Sequence, residues 1–285
     1  MSNKIVTRQN EDNSIAMLAA QRQLYRDAKK FNAVSVALSV WIPFVLAVIL
    51  LFLPGNTKLR YISYILSIVS MIFGFVIDKY IEGKKQLAAF IQQKFDVYVY
   101  NMPWDNRIFG KNKNINHEIS THSKKILSNP QEKKKLKDWY TIGIGEKNTI
   151  DEILACQREN LYWDVGLRKR YKVISGGLII VLFSVILGIG LWRNERIIEL
   201  LWRAAFIVPM LKWLLDTIRK LNNDISTLQE LDVDINNNEI HTMEDLQDIQ
   251  KMIFQHRKEC YTIPDCIYNI FKDNDEDRAY REARM

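Results

Sequence analysis

Cysteine is scarce in this chain, three residues in 285, too few to staple a secreted disulfide scaffold. Histidine is also scarce, at four. The segment His117-Glu118-Ile119-Ser120-Thr121-His122 comes near a two-histidine zinc motif but has one residue too many. Histidines five apart lie on different faces of a helix, whereas that motif needs i, i+4. Cys260 and Cys266 lack metal-ligand spacing and have no second cysteine pair beside them. Gly143-Ile144-Gly145 is neither a phosphate loop nor a dinucleotide fingerprint, and no nucleophile elbow occurs. With no catalytic constellation and no cofactor or metal indicated, the chain reads as a non-enzyme. It has no repeat of fixed period. A cleavable signal peptide is not expected, because the first apolar run begins after about thirty polar residues and is too long for one.

Charge is missing from three stretches, residues 33–53, 61–77 and 173–192, which run for 21, 17 and 20 residues. A bilayer core of roughly 30 Å takes roughly 20 helical residues, so these read as transmembrane helices. Pro43 removes a backbone donor and predicts a kink in the first. Pro54-Gly55-Asn56 ends it in a tight turn, and the second span follows at once. A fourth segment, residues 197–215, is apolar apart from Glu199, Arg203 and Lys212. Arg203 has two readings: a residue at the headgroups of a helix that enters lipid late, or a polar residue facing a conduit. Pro43 and Arg203 are the candidate pore or gating positions. Trp192, Trp202 and Trp213 fit interfacial aromatic belts.

The net charge is +7. Beside such apolar runs, this excess reads as basic flanks of a membrane protein, and no nucleic-acid polymer is expected as partner. The short turns after the first and third spans carry Lys58, Arg60, Arg193 and Arg196, while the opposite flanks carry more Lys and Arg. The positive-inside rule therefore puts both termini and residues 78–172 in the cytosol, where the cysteines stay free thiols.

The spans continue into amphipathic sequence on that side. Leu214, Ile218, Leu221, Ile225 and Leu228 alternate spacings of four and three, as do Ile77, Ile81, Ala88, Ile91 and Phe95 with Lys84 interrupting. Thr149-Ile150-Asp151-Glu152 has the capping-box form, predicting a helix of about 65 Å from Ile150 to Trp192. A matching helix starts at Asn13 or Ser14, with Gly166 and Lys29-Lys30 as candidate break points. The expected fold class is an all-α membrane protein, with four transmembrane helices in two hairpins extended into a cytosolic helical stalk under a small cap. The divisions are an N-terminal cytosolic helix (1–31), a first transmembrane hairpin (32–77), a cytosolic helical and cap region (78–172), a second hairpin (173–215) and a C-terminal cytosolic helical region (216–285). Short strands or irregular structure are expected within 96–148, a loop over 232–238 and an amphipathic helix over 243–256. Another helix opens at Pro264, and a frayed end covers 273–285.

Aromatic and basic residues interleave in the cytosolic part. Phe95 to Trp104 is followed by Arg107, and Gln157-Arg158-Glu159-Asn160-Leu161-Tyr162-Trp163-Asp164 leads to Leu167-Arg168-Lys169-Arg170-Tyr171. Aromatic faces stack on bases, and arginine forks hold phosphates. Trp104, Arg107, Arg158, Trp163, Arg168 and Arg170 are therefore candidate ligand contacts. The alternative is that the aromatics pack cap against stalk and the basic run meets lipid headgroups.

Four short strings together resemble the SMODS-associating four-transmembrane effectors. They are Arg8-Gln9-Asn10 with Leu18 to Tyr25, Phe95-Asp96 to Pro103-Trp104, Gln157 to Asn160 with Trp163-Asp164 and Leu167-Arg168, and Ile263-Pro264-Asp265. Their order and spacing relative to the spans cover nearly the whole chain. The resemblance implies a pore-forming effector of bacterial anti-phage defence, in the inner membrane, that responds to a cyclic oligonucleotide ligand and permeabilises the bilayer. Four helices in one subunit enclose no useful channel, so a pore implies a homo-oligomer. A non-conducting membrane scaffold that recruits a cytosolic partner is the alternative.

Overall fold

The computed structural model describes residues 4–52, 57–140, 148–192, 194, 196–237, 240, 242–267 and 270. The turn at 54–56, Gly143 to Gly145 and the charged end at 273–285 lie outside these, as do the side chains of Trp163 and Arg203. Every regular element among the described residues is helical.

The chain opens with α1 (Ile5–Gln9) and α2 (Asp12–Val36). Along α2, Ser14, Ile15, Leu18, Gln21, Leu24 and Ala28 are buried, the three-and-four spacing of one helix face. The helix passes through Lys29-Lys30 without a break. It widens instead into a π-helical turn, Ala37–Trp41, immediately before Pro43 in α3 (Ile42–Phe52). Proline has no N–H, and its ring crowds the carbonyl four residues back, so one wide turn accommodates it.

Helix α4 (Thr57–Tyr100) runs for 44 residues. Its end has a local cause. Asn101 is left-handed, at φ 56°. Met102 N–H donates to Val97 O at 3.0 Å and Asn101 N–H to Tyr98 O at 3.2 Å, the Schellman pattern that satisfies orphan carbonyls. Pro103 then prevents continuation.

Every regular element in the described part of the 96–148 region is helical, so the strands considered there are not found in it, while irregular stretches at 101–105, 110–115 and 135–140 join the helices as expected. The region holds α5 (Asn106–Phe109), α6 (Asn116–Leu127) and α7 (Pro130–Lys134). Side chains start two of them. Asp105 accepts from Arg107 N–H, and Asn129 accepts from Gln131 and Glu132 N–H with Pro130 in the first turn. Helix α6 lies along α2. Leu18, Phe95, Tyr100, Ile126, Leu136, Tyr140 and Ile153 form the cap core, each no more than 2% exposed. Each large apolar side chain buried there contributes about 1.5–3 kcal/mol.

Helix α8 (Thr149–Trp192) spans 44 residues and passes through Gly166 unbroken. Its cap is Asn148, one residue before the predicted Thr149. Asn148 Oδ1 accepts from Asp151 N–H at 3.0 Å, and its Nδ2 donates to Asp151 Oδ2 at 2.7 Å. Asparagine caps better than threonine, and Glu152 is buried rather than reaching back. Helix α9 (Ile197–Asn237) runs 41 residues and takes in residues 232–237 of the loop expected at 232–238. Leu228, Leu231 and Ile235 pack with Ile249 and Ile253, and that burial outweighs the weak helix propensity of Asp and Asn. Helix α10 (Met243–Glu259) starts with a full capping box, Thr242 with Asp245. Residues 265–267 are helical just beyond Pro264.

Helices α2 and α4 form one antiparallel pair and α8 and α9 another, with α10 touching α4, α8 and α9. At the opposite end Val40, Met210 and Leu214 join the pairs. Two helices, Asp12–Leu46 and Thr149–Trp192, are long and apolar enough to cross a membrane among the described residues. On α8 the surface changes character along its length. Leu161, Leu167 and Arg168 are buried, whereas Val173, Ile180, Val181, Leu187, Leu191 and Trp192 are exposed. An apolar face of that size presented outward is a surface made for lipid or another protein.

Candidate functional site

The apolar face of α10, Leu246, Ile249, Ile253 and Phe254, also carries Gln250 and Arg257, both buried. Buried polar groups must be paired, and these two organise a network. Gln250 Nε2 donates to Gln93 Oε1 and Asp96 Oδ2, both at 2.9 Å. Its Oε1 accepts from Gln157 Nε2 at 3.0 Å, which also donates to Leu246 O at 2.9 Å. Asp96 further accepts from Tyr140 Oη at 2.7 Å and Arg257 Nη1 at 2.5 Å. Asn160 Nδ2 donates to the Tyr140 hydroxyl at 3.1 Å. Gln9 brackets the Tyr140 backbone, accepting from its N–H at 2.8 Å and donating to its O at 3.2 Å. Side chains from α1, α4, α8 and α10 thus join one network around the fully buried Asp96 carboxylate, whose direct partners are Tyr140, Gln250 and Arg257. Burial alone lowers the pKa of Arg257, but Asp96 more than reverses this. Burial, then Asp96, pushes the Tyr140 hydroxyl well up, so it stays a neutral donor.

A second cluster lies further along α8, toward its exposed apolar half. Asp164 and Arg168 are one turn apart, with Nε 3.0 Å from Oδ1. Arg168 Nη1 also binds Asp224 of α9 and donates to Tyr261 O at 3.0 Å. His256 Nε2 sits 2.7 Å from Asp164 Oδ2, and Tyr261 N–H donates to Asp224 Oδ2 at 2.9 Å. Burial raises the Asp164 pKa, yet Arg168 and then His256 hold it well below the usual carboxylate range. Arg168, only 3% exposed, is a charge paired from both sides.

After α10 the chain turns extended at Cys260 and runs as a strap across the stalk. Lys85 of α4 donates to Cys260 O at 2.6 Å, and Lys29 of α2 meets Asp265 at 2.6 Å. Ile263 is buried among Leu167, Tyr171 and Leu221, and Tyr261 stacks on Tyr171 with centroids 6.3 Å apart. One short segment therefore touches all four long helices. Beside it is a cavity of about 310 Å³ whose walls include Tyr25, Lys85, Trp139, Asp164, Arg168 and Arg257. A second cavity of about 760 Å³ shares Lys85, His256, Cys260, Tyr261 and Thr262 with the first.

The six expected ligand contacts are distributed as follows. Arg168 lines the first cavity. Arg158 is half-buried on α8, with Nη2 donating to Asn236 Oδ1 at 3.3 Å, and Arg170 is half-buried on the same helix. Trp163 lies between them in sequence on α8. Trp104 is elsewhere, packed edge-on against Phe90 and tilted against Phe109, with its N–H donating to Gly110 O at 3.0 Å. It lines a different cavity with Lys94 and Tyr98. Arg107 is exposed in α5. Arg203 stands within α9, and Pro43 is half-buried just after the π turn.

Sequence reading missed Asp96, Gln250 and Arg257 as a unit, and Lys85 at the strap. A signal existed in α10, where Leu246, Gln250, Ile253 and Arg257 fall at spacings of four, three and four. A glutamine and an arginine on an otherwise apolar helix face ask for buried partners. No group of three or more His, Cys, Asp and Glu suited to a metal occurs among the described residues.

Residues 3–285 match the model of the SMODS-associating 4TM effector domain. A probable CBASS effector molecule of Bacillus cereus (strain VD146) is 27% identical over 231 residues, covering 79% of this chain and 77% of the relative. No solved structure matches.

Proposed function

The chain belongs to the SMODS-associating four-transmembrane effector domain family, and from that premise we propose that it is a membrane-permeabilising effector of bacterial anti-phage defence, triggered by a cyclic oligonucleotide bound on the cytosolic side. The observation that carries this reading is the continuity of α8. One unbroken helix holds Gln157, Asp164 and Arg168 in buried polar clusters and then presents Ile180, Leu187 and Leu191 outward. A change of packing at the polar end moves the apolar end as a rod.

In this reading the four apolar segments cross the bacterial inner membrane as two hairpins, with both termini cytoplasmic. The ligand engages the cytosolic half, where Arg158, Trp163, Arg168 and Arg170 fall on α8, with Trp104 and Arg107 on the cap. Pro43 and Arg203 are the gating positions in the apolar half. Subunits assemble to enclose a path, because four helices of one chain do not. A ligand shifts two arrangements only by its differential affinity, and moving 1:99 to 99:1 takes about 5.5 kcal/mol. A doubly charged nucleotide held by arginine forks supplies interactions of that order.

The test is dye release from liposomes containing the purified full chain. Leakage is expected only after addition of one member of a panel of cyclic di- and trinucleotides. Silence with the whole panel favours a non-conducting scaffold.

A further inference from the structure

The strap presents two consecutive backbone carbonyls to two cations. Lys85 Nζ donates to Cys260 O at 2.6 Å and Arg168 Nη1 to Tyr261 O at 3.0 Å. A third cation, Arg257, lines the same cavity, and its buried Nη2 has no hydrogen-bond partner among the described residues. Lys85 and Arg168 each serve a neutral carbonyl, Arg168 while also paired with Asp164 and Asp224. The Arg257 nitrogen beside them is unused among the described residues, and together the three make the donor layout of an anion site. A phosphodiester carries two charged oxygens on one phosphorus, and charge-assisted hydrogen bonds to such oxygens are roughly twice as strong as those to neutral acceptors. The aromatic walls Tyr25 and Trp139 offer faces on which a base can stack.

We propose that the cavity behind residues 260–263 is a phosphodiester-binding site whose donors are Lys85, Arg168 and Arg257, and that the strap carbonyls occupy it until a ligand displaces them. The assignment of the ligand as a soluble cyclic oligonucleotide rests on the function proposed above. The cavity beside the strap holds about 310 Å³ and the adjoining one about 760 Å³. They share Cys260, Tyr261 and Thr262 as a wall, so moving the strap joins them into room for a larger ligand. The same movement unties α2, α4, α8 and α9, all of which the strap holds through Lys29, Lys85, Arg168 and Asp224. Binding and loosening of the two helix pairs are then one event.

The experiment is calorimetric titration of the full chain in maltoside micelles, which contain no phosphate. One arm uses cyclic di- and trinucleotides, the other short-chain phosphatidylglycerol. Lys85→Ala removes one donor and is expected to weaken binding about 10- to 100-fold. Tyr261→Ala removes the strap's stack on Tyr171 and leaves all three donors, so binding is expected to tighten about 3- to 10-fold. Tightening cannot arise from misfolding, and circular dichroism checks the fold of Lys85→Ala. Nucleotide binding that moves in both directions supports the site and the trigger together. Lipid binding alone that moves in both directions supports the site and rejects the cyclic nucleotide trigger. Nucleotide binding indifferent to both substitutions leaves the trigger standing and overturns the site. Absence of binding in both arms, or a Tyr261→Ala protein that binds no tighter, also overturns it.

Discussion

Replacing Asp96 by asparagine changes one oxygen to nitrogen at the centre of the cap. Asp96 has no exposed surface and takes hydrogen bonds from Tyr140, Gln250 and Arg257. The asparagine keeps the volume but removes the negative charge that pairs with Arg257. It also turns one acceptor into a donor facing other donors. An uncompensated buried charge costs about 3–5 kcal/mol. At about 2–4 °C per kcal/mol for a unit of roughly 150–250 residues, the apparent midpoint falls by about 6–20 °C. Thermal unfolding of the full chain in micelles, followed by helical circular dichroism, measures it. The double variant Asp96→Asn with Arg257→Met removes both charges and is expected to recover most of the loss, which a double-mutant cycle quantifies. A midpoint within about 2 °C of the parent chain, or a double variant worse than the sum of the singles, refutes the account of the network.

Asn148→Ala is expected to cost about 1 kcal/mol as a lost cap, and Thr149→Ala much less; denaturant titration of both variants ranks them, and the reverse order contradicts the observed cap. Asp164 has its folded pKa depressed below the ordinary 3.8, so its stabilising contribution is complete above that value and disappears as pH falls through the folded pKa. The midpoint difference between the parent and Asp164→Asn is therefore expected to shrink as pH falls below about 4. Leu221→Ala, at a position with no exposed surface among Leu167, Tyr171 and Ile263, is expected to lose about 2–5 kcal/mol, read from the same denaturant titration. A loss under about 1 kcal/mol means that the strap does not seal this part of the stalk.

The long helices were legible because apolar spacing is a local signal. Leu214, Leu221, Ile225 and Leu228 repeat on one face, and all four are buried. The stop at Asn101 also has a local cause, since Pro103 follows it. Other features depended on distant partners. Residues 232–237 read as a loop because Asp and Asn are poor helix formers, and only the arrival of α10 against Leu231 and Ile235 reverses that preference. Asn148 against Thr149 is a contest of one residue between two acceptable caps. Gln9, Asp96, Gln157 and Gln250 are spread across the chain, yet they meet in one network; their separation left no periodic trace. Arg168 attracted attention as a cation beside aromatics, while its carboxylate on α9, Asp224, lies 56 positions away. The strings that carried the family resemblance contain Gln9, Asp96, Gln157, Asn160, Asp164 and Arg168. These are residues of the two polar clusters, so that resemblance drew on the architecture of the stalk.

The separation of a lipid-embedded half from a cytosolic polar half is tested most directly by thiol labelling at Cys266. This cysteine is exposed just beyond the strap, whereas Cys156 is buried in the cap and burial pushes its pKa well up. A membrane-impermeant maleimide applied to intact spheroplasts expressing the resting protein is expected to leave Cys266 unmodified, and to modify it rapidly once the membrane is opened with detergent. Equal labelling before and after opening would place the strap outside the cell and contradict the account.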